Sequence, residues 1–405
     1  MKHDGEALHY ASGAIMRPVR PLPTIRSADV FCAVVDNYGD AGFCWRLARI
    51  LASDHRLAVR LWIDVPQTLA RLAPDYDPLL ETARVDGVVI KHWRRRAPMT
   101  ESIALPHLVV EAFGCGLDDA YVDAMAGADR PPVWINVEHL SAEAWVEGFH
   151  GLPSPQPRGT LTRHFFFPGF DARTGGLLRE RSLLDRRDAF RRDPAHARRL
   201  FAELASTGLS DGAMTLSLFG YAHPRLPGLL DAWSAADRAI VCLVPKGSMA
   251  SEIGAWSRGR ALAAAESLQC GTLRLVSIPF TDQDAYDRLL WACDLNFVRG
   301  EDSFVRAQWA GRPMVWQAYR QDADAQAAKV SAFCACYVRA MDEPAAGAYR
   351  AFLMAWNGSA DLAPHWAALA RQQANLEAHA ARWSEHCATL PELSAALVNF
   401  ARQRV

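Results

Sequence analysis

Short apolar segments alternate with amphipathic segments through most of the chain. The first apolar run spans residues 29–35. After it, apolar residues recur at the i, i+3, i+4 and i+7 spacing of one helix face: Cys44, Leu47, Ala48 and Leu51. Similar apolar runs predict strands at 58–63, 87–92, 107–113, 133–137, 215–219, 239–244, 272–278, 294–298 and 313–317. Because apolar strands separated by helices are typical of parallel sheets covered on both faces, the pattern predicts an α/β fold.

The alternation of strands and helices occurs twice and is followed by an Ala-rich helical tail. We therefore predict two doubly wound domains in tandem, residues 27–178 and residues 179–374. Residues 1–26, which contain several prolines and arginines, are predicted to be a flexible extension. Since ligands of open α/β sheets bind at the carboxyl ends of the strands, the loops at those ends are the places to look for chemistry.

Composition and charge exclude several classes of function. Lys and Arg number 44 and Asp and Glu number 45, a net charge of −1 that argues against general polyanion binding, so we predict no direct nucleic-acid binding. No apolar run approaches the roughly 18 residues of a membrane span, so we predict no membrane association. The nine cysteines include no CxxC pair and the histidines no HExxH motif, which predicts reduced thiols in a cytoplasmic protein and no built-in metal site.

The loop after the first predicted strand, residues 36–42, places two carboxylates on either side of a tight turn. Asn37 and Gly39 tolerate positive φ angles, and the N–H groups at a helix start favour an anion. The loop contains neither the GxGxxG of a dinucleotide site nor the Lys-Ser/Thr of a P-loop. Two interpretations remain open: Asp40 caps the helix and Asp36 caps the turn, or an acid of this loop faces the cleft as a general base.

A second candidate loop, residues 299–303, follows another predicted strand and precedes a predicted helix. Arg299 beside the exposed N–H groups of a helix start suits a diphosphate, and Glu301 can accept hydrogen bonds from sugar hydroxyls. The alternative is a well-capped helix with Asp302 or Ser303 at the N-cap, and a surface ion pair between Arg299 and Glu301.

Other signals in the chain are weaker. Phe219, Tyr221 and Tyr286 lie near strand ends, where an aromatic ring either stacks on a base or forms the rim of the core. The acidic triads at 282–284 and 322–324 both match the DxD pattern of metal-dependent glycosyltransferases, and we interpret both as chance matches in hydrophilic loops.

Three segments resemble one known family, in the same order along the chain. Residues 34–49, VVDNYGDAGFCWRLAR, are similar to the N-terminal signature of the protein-arginine rhamnosyltransferases that modify bacterial elongation factor P. Residues 289–313, LLWACDLNFVRGEDSFVRAQWAGRP, resemble their C-terminal signature, and residues 165–180 provide the third match. The resemblance implies a GT-B fold: two Rossmann-like domains face each other across a cleft, and C-terminal helices, about 375–405, return to complete the first domain.

The resemblance also implies an activity. The family moves L-rhamnose from dTDP-β-L-rhamnose to an arginine side chain of elongation factor P, with inversion at the anomeric carbon and with neither a metal nor another cofactor. By motif, Asp40 resembles the catalytic base, Asp36 its essential companion and Glu301 a further residue needed for activity. The residues matched to the donor turn and the diphosphate loop are Asn37, Tyr38, Gly39, Arg299, Gly300, Asp302 and Ser303. Those matched to the thymidine pocket are Phe219, Tyr221, Gln283 and Tyr286.

The chain departs from the family pattern in two places. Tyr38 replaces the usual phenylalanine, which we expect to be harmless, and the segment 319–321 reads Tyr-Arg-Gln where the family has Tyr-Pro-Gln. Two alternative functions remain. One is a GT-B glycosyltransferase with a different donor or acceptor, and the other is a non-catalytic nucleotide-sugar-binding adaptor of a translation factor. The presence of Asp36, Asp40 and Glu301 favours catalysis.

Overall fold

The computed structural model describes residues 24–95, 104–205, 212–246, 249–259, 266–320 and 323–405. Its first sheet contains strands β1 (Ser27–Cys32), β2 (Ala58–Ile63), β3 (Thr82–Val85), β4 (Val88–His92), β5 (Leu108–Ala112), β6 (Val133–Val137), β7 (Pro153–Pro155) and β8 (Thr162–Phe166). Their order is β3-β4-β2-β1-β5-β6-β8-β7, and all pairs are parallel except β3–β4 and β7–β8. The helices of this half are α1 (Tyr38–Ser53), α2 (Pro66–Leu72), α3 (Asp119–Ala126) and α4 (Val146–Phe149).

The second sheet repeats this design. Its strands are β9 (Met214–Leu218), β10 (Ile240–Pro245), β11 (Ser267–Cys270), β12 (Leu273–Ile278), β13 (Leu295–Arg299) and β14 (Met314–Gln317), in the order β11-β12-β10-β9-β13-β14. Around it lie α5 (Leu183–Arg192), α6 (Pro194–Ala205), α7 (Leu226–Ser234), α8 (Ala250–Trp256), α9 (Gln283–Ala292), α10 (Asp302–Ala310), α11 (Ala323–Tyr337), the 3-10 helix Val338–Ala340, α12 (Glu343–Asn357) and α13 (Ala363–Ala370). The predicted α/β class with two doubly wound domains is confirmed.

Every strand predicted from an apolar run is present, although several ends shift. The predicted run 29–35 is wrong at its end, because β1 stops at Cys32 and Val35 is 73% exposed. The backbone N–H groups of Val34 and Val35 leave the sheet and donate to the carboxylates of Asp64 and Asp40 instead. The strands that the apolar pattern missed include β3, β7 and β11. All three are short antiparallel strands at sheet edges, where an apolar run is not needed because one side faces solvent.

Two tail helices, α14 (Gln373–Ala388) and α15 (Leu393–Arg402), follow the second domain. The chain before α15 pairs with the segment after β8: Leu177 donates to the Pro391 carbonyl, and Leu393 donates to the Leu177 carbonyl. The Phe400 ring then packs on Phe166 of the first sheet. The end of the tail, with α15, therefore returns to the first domain, whereas α14 packs against α10 of the second, where Trp383 donates to Gln308. Apolar residues of both sheets and of the tail belong to one continuous core.

Within the described ranges, no helix combines the length and the apolar character that crossing a membrane requires.

Gly176 makes the closest backbone approach to the tail. Gly176 has a φ of +68°, and a Cβ built there would lie 1.8 Å from the Pro391 carbonyl oxygen. We expect Gly176→Ala to lower the free energy of unfolding by about 2–4 kcal/mol. The alanine would hold a left-handed backbone conformation that side chains disfavour, and its Cβ would clash with the Pro391 backbone. Urea unfolding measures this loss. Gly148→Ala is the matched control, since a Cβ there has no neighbour within 4 Å. Equal stability of Gly176→Ala and the wild type would contradict the expectation.

Candidate active site

The loops that follow β1 and β13 meet between the two sheets. A Cβ built on Gly39 would lie 3.4 Å from the amide nitrogen of Glu301, and one built on Gly42 would lie 3.2 Å from the Cβ of Asp302. Glycine at both positions lets the start of α1 approach the start of α10. The structure thus brings together the two loops that the sequence singled out separately.

Asp40 lies in the first turn of α1 and is buried. Its Oδ2 accepts hydrogen bonds from the N–H groups of Val35 and Asp36, each at 2.8 Å, while its Oδ1 lies 4.0 Å from Nε2 of His139. Burial raises the pKa of Asp40. The prediction that Asp40 caps α1 is wrong. The Asp40 carboxylate binds N–H groups of the loop before the helix, and Asn37, with a φ of 43°, occupies the N-cap position.

Asp36 stands at the point where the two domains meet. Its carboxylate accepts a hydrogen bond from the Tyr221 hydroxyl of the second domain. Burial raises the pKa of Asp36 to about 6, although the Tyr221 hydrogen bond and the Arg299 charge act in the opposite direction. The prediction that the Asp36 side chain caps the turn is wrong, because the main-chain carbonyl of Asp36 accepts the N–H of Gly39.

Glu301 occupies the N-cap position of α10 and is only 4% exposed. Its Oε1 accepts the N–H of Leu140, in the loop after β6 of the first domain, at 2.6 Å. Burial raises the pKa of Glu301 to about 7. The predicted surface pair with Arg299 is therefore wrong. The alternative of an N-cap at Asp302 or Ser303 is also wrong, since Ser303 Oγ binds the backbone of Arg299.

Arg299 lies between two aromatic rings. Its guanidinium carbon is 4.5 Å from the ring centroids of both Phe219 and Tyr221, within the range of a cation–π contact. The two rings hold the guanidinium beside the start of α10, where backbone N–H groups favour an anion. Phe219 and Tyr221 thus position a cation, a role that the sequence did not reveal.

Two cavities open at the meeting of the loops. The larger has a volume of about 340 Å³ and is lined by the acids Asp36, Asp40 and Glu301 together with Gly300. The smaller, of about 60 Å³, is lined by the following predicted site residues: Asp36, Tyr38, Gly39, Phe219, Gln283, Tyr286, Arg299, Asp302 and Ser303. Asn37 is exposed and lines neither cavity. Tyr221 also lines neither cavity but contacts two residues that do: its hydroxyl donates to Asp36, and its ring lies against the Arg299 guanidinium.

The smaller cavity has aromatic walls and one amide. The Phe219 and Tyr286 rings lie 5.9 Å apart, edge to face. Gln283 is buried, and its Nε2 donates to the Gly42 carbonyl at 2.8 Å. Its Oε1 has no hydrogen-bond partner among the residues the structure describes. Such a cavity can take a planar ring that carries an N–H donor.

Sequence reasoning missed several residues of the larger cavity. His139 follows β6 at the same sheet edge as Asp40, and its ring stacks on Phe113 at 4.1 Å. Its position just after a predicted strand is the one feature of the sequence that indicates a place in the cleft. Burial and the Lys329 ammonium lower the pKa of His139 to about 3, which leaves the ring neutral at neutral pH. Lys329 and Arg95 are the cations of the cavity wall, and neither stands in a recognisable motif.

The structure assigns ordinary roles to the first acidic triad. Asp282 caps α9 by accepting the Ala285 N–H at 2.7 Å, and Asp284 forms ion pairs with Arg49 and Arg186. In the part of the chain that is described, no group of three or more His, Cys, Asp or Glu side chains is placed to hold a metal ion. Residues 321 and 322, which belong to the 319–321 departure and to the second triad, lie outside the described residues.

Two facing Rossmann-like domains with a cleft between their strand ends are the GT-B fold, an architecture found in glycosyltransferases. The sequence profile of the family "Elongation-Factor P (EF-P) rhamnosyltransferase EarP" matches residues 28–402, so the chain belongs to this family. The resemblance drawn from the signatures is thereby confirmed, and the chain is a glycosyltransferase rather than a non-catalytic adaptor.

Individual relatives agree with the family. The protein-arginine rhamnosyltransferase of Pseudomonas putida is 46% identical over 374 residues, which cover 92% of this chain and 98% of that protein. The one from Pseudomonas aeruginosa is 45% identical over 377 residues, with the same coverage. A solved structure described as the "Structural basis for EarP-mediated arginine glycosylation of translation elongation factor EF-P" is 34% identical, has a TM-score of 0.67 and covers 94% of this chain and 100% of that chain.

The position of Arg299 leads to a binding prediction. We expect Arg299→Ala to weaken the affinity for dTDP by about 10- to 100-fold, because the variant loses a charge-assisted hydrogen bond to the diphosphate. Calorimetric titration with dTDP measures this change. Arg173→Ala, which removes an exposed and ion-paired arginine outside both cavities, is the control. Unchanged affinity in Arg299→Ala would remove Arg299 from the anion site.

Proposed function

We propose that this chain transfers L-rhamnose from dTDP-β-L-rhamnose to an arginine side chain of elongation factor P. The transfer inverts the anomeric carbon, takes place in the cytoplasm and uses neither a metal nor another cofactor. The family description and the solved relative support elongation factor P as the acceptor. The observation that carries the proposal is the larger cavity, in which carboxylates from both domains line a space of about 340 Å³.

The smaller cavity suits the nucleotide part of the donor. Its Phe219 and Tyr286 rings offer surfaces for a planar base, and the free Oε1 of Gln283 can accept the N3–H of thymine. Arg299 and the N–H groups at the start of α10 are placed for the diphosphate, since a helix N-terminus and a guanidinium both stabilise negative charge. Because Asp36 lines both cavities, the sugar attached to the diphosphate is expected in the larger one.

The acids of the larger cavity suit an arginine acceptor. A guanidinium has a pKa above 12, so a carboxylate cannot remove its proton beforehand. Asp36 and Asp40 instead orient the fork of the guanidinium by charge-assisted hydrogen bonds. As the nitrogen–carbon bond forms and the bond from the anomeric carbon to the diphosphate oxygen breaks, the proton passes to Oδ1 of Asp40. Arg299 and the start of α10 stabilise the charge that develops on dTDP.

This route needs no protein nucleophile. The acceptor nitrogen attacks the face of the sugar opposite the leaving diphosphate in a single displacement, and the result is inversion at the anomeric carbon. Burial raises the pKa values of Asp36, Asp40 and Glu301, and the same burial strengthens the interaction of each ionised carboxylate with a bound cation.

The intact mass of elongation factor P tests the proposal directly. After incubation with this protein and dTDP-rhamnose, we expect the mass to rise by one deoxyhexose, with or without EDTA. The same elongation factor P incubated without the donor is the control. An unchanged mass with an enzyme that binds dTDP would favour a different sugar or acceptor, and strict dependence on added Mg²⁺ or Mn²⁺ would contradict the metal-independent mechanism.

Asp40→Asn tests the base. The asparagine Oδ1 can accept the same N–H groups of Val35 and Asp36, which places an NH₂ group where the proton-accepting oxygen was. We therefore expect turnover to fall by about 10²- to 10⁴-fold, with dTDP affinity and melting temperature nearly unchanged. Rate, calorimetry and thermal unfolding are measured on the same samples.

Asp64→Asn is the matched control for this variant. Asp64 holds the neighbouring N–H group of Val34 at 2.9 Å but lines neither cavity, so its turnover should stay near that of the wild type. A fully active Asp40→Asn enzyme would end the assignment of Asp40 as the base and leave Asp36 or Glu301 as the candidate.

A further inference from the structure

One face of α1 contacts the second domain. Gly39, Gly42, Arg46 and Arg49 follow one another at spacings of three or four residues, which places them on one side of the helix. The two glycines approach Glu301 and Asp302, as described above. Below them, Arg46 and Arg49 bind acids of α9 and α10. We call this the glycine–arginine face of α1.

Arg46 makes the most extensive of these contacts, and its side chain is only 1% exposed. Its Nε and one terminal nitrogen donate to the two oxygens of Asp302, at 3.0 and 3.3 Å. Its other terminal nitrogen donates to Glu180 at 2.9 Å and to Asp287 at 3.3 Å. Every one of these acids lies outside the first sheet and its helices: Glu180 follows β8 in the connecting segment, Asp287 is in α9 and Asp302 begins α10.

A second buried arginine completes the cluster. Arg306 of α10 donates to both oxygens of Asp287 and, at 2.8 Å, to Glu180. Arg46, Arg306, Glu180, Asp287 and Asp302 therefore form one arginine–acid cluster with two cations and three carboxylates, a formal charge of −1. Arg46 is the member of this cluster that belongs to the first domain, whereas Arg306 links elements of the second domain to the connecting segment.

The cluster lies directly behind the active site. Asp36 and Asp40 are at the start of α1, and Arg299 and Glu301 are at the start of α10. Each cavity has walls from both starts, so its shape depends on their separation. A buried ion pair contributes little net stability but has strict geometric requirements. The contribution of this cluster is therefore to fix the relative position of the two helix starts.

We propose that Arg46 is a positioning residue that holds the start of α1 against the start of α10, so that the acids of the first domain and the diphosphate loop of the second have the separation that transfer requires. For its effect on turnover this inference rests on the proposed function. Asp302 transmits the effect, since Arg46 grips its carboxylate and the neighbouring Ser303 binds the backbone of Arg299.

Arg46→Lys tests the proposal with the smallest change. Lysine keeps the charge but lacks the planar fork that engages both Asp302 oxygens. We expect kcat to fall by about 10- to 100-fold, the cost of a misplacement of roughly 1 Å, while dTDP affinity falls much less. Arg306→Lys is the matched control: it is equally buried in the same cluster, it lies on the second-domain side, and it should lower the melting temperature without a comparable loss of kcat.

A second variant separates position from charge. Arg46→Met combined with Glu180→Gln removes one cation and one carboxylate, so the cluster keeps its formal charge of −1. If Arg46 acts by position, kcat of this double variant stays low. Recovery of wild-type kcat would overturn the proposal, because charge balance would then be the whole contribution of Arg46.

Amide hydrogen exchange provides a readout that needs neither donor nor acceptor. We expect faster exchange in residues 36–42 and 299–305 of Arg46→Lys than in the wild type or in Arg306→Lys. Wild-type exchange in both segments together with wild-type kcat would overturn the proposal. If the wild-type protein fails to glycosylate elongation factor P, the proposed function fails, and the exchange experiment still decides whether Arg46 holds the two starts together.

Discussion

The close approach of α1 to α10 is the constraint on which the rest of the site depends. Each helix begins just after a parallel strand, so each presents at its start polar loop residues and backbone N–H groups that have no partner within the helix. Gly39 and Gly42 leave the two starts room for this approach, and buried charges farther along α1 hold them together. Both cavities are formed by this meeting rather than by either domain alone.

The same burial determines the chemistry of the acids. Asp36, Asp40 and Glu301 lose water when the domains meet, and their pKa values rise as a result. Each is kept in place by a donor from elsewhere in the site: backbone N–H groups hold Asp40 and Glu301, and the Tyr221 hydroxyl holds Asp36. Among the described residues no arginine forms an ion pair with any of these carboxylates, so a guanidinium that enters the cavity can bind them.

The bounds of β2 and β6 coincide with the ends of their apolar runs. Burial alone does not explain this accuracy, because β6 is buried throughout whereas β2 alternates buried residues with exposed or partly exposed ones. β1 is the instructive exception. Its apolar run continues through Val35, but hydrogen bonds to Asp64 and Asp40 draw the chain out of the sheet after Cys32. Asp40 is only five residues from Val35, whereas Asp64 comes from the end of the neighbouring strand β2 and no pattern around β1 indicates its carboxylate.

The sequence alone was sufficient to predict the α/β class, the two-domain plan and the two candidate loops, residues 36–42 and 299–303. Apolar periodicity and local turn chemistry are properties of neighbouring residues, so they can be read without the tertiary structure. The family signatures added roles for Asp40, Asp36 and Glu301. The partners of those residues came only from the tertiary structure: Leu140 for Glu301, Tyr221 for Asp36, and the rings of Phe219 and Tyr221 for Arg299. These partners lie far away along the chain. The packing of one domain against the other brings Leu140 to Glu301 and Tyr221 to Asp36. The rings of Phe219 and Tyr221 reach Arg299 because β9 and β13 are neighbours in the second sheet.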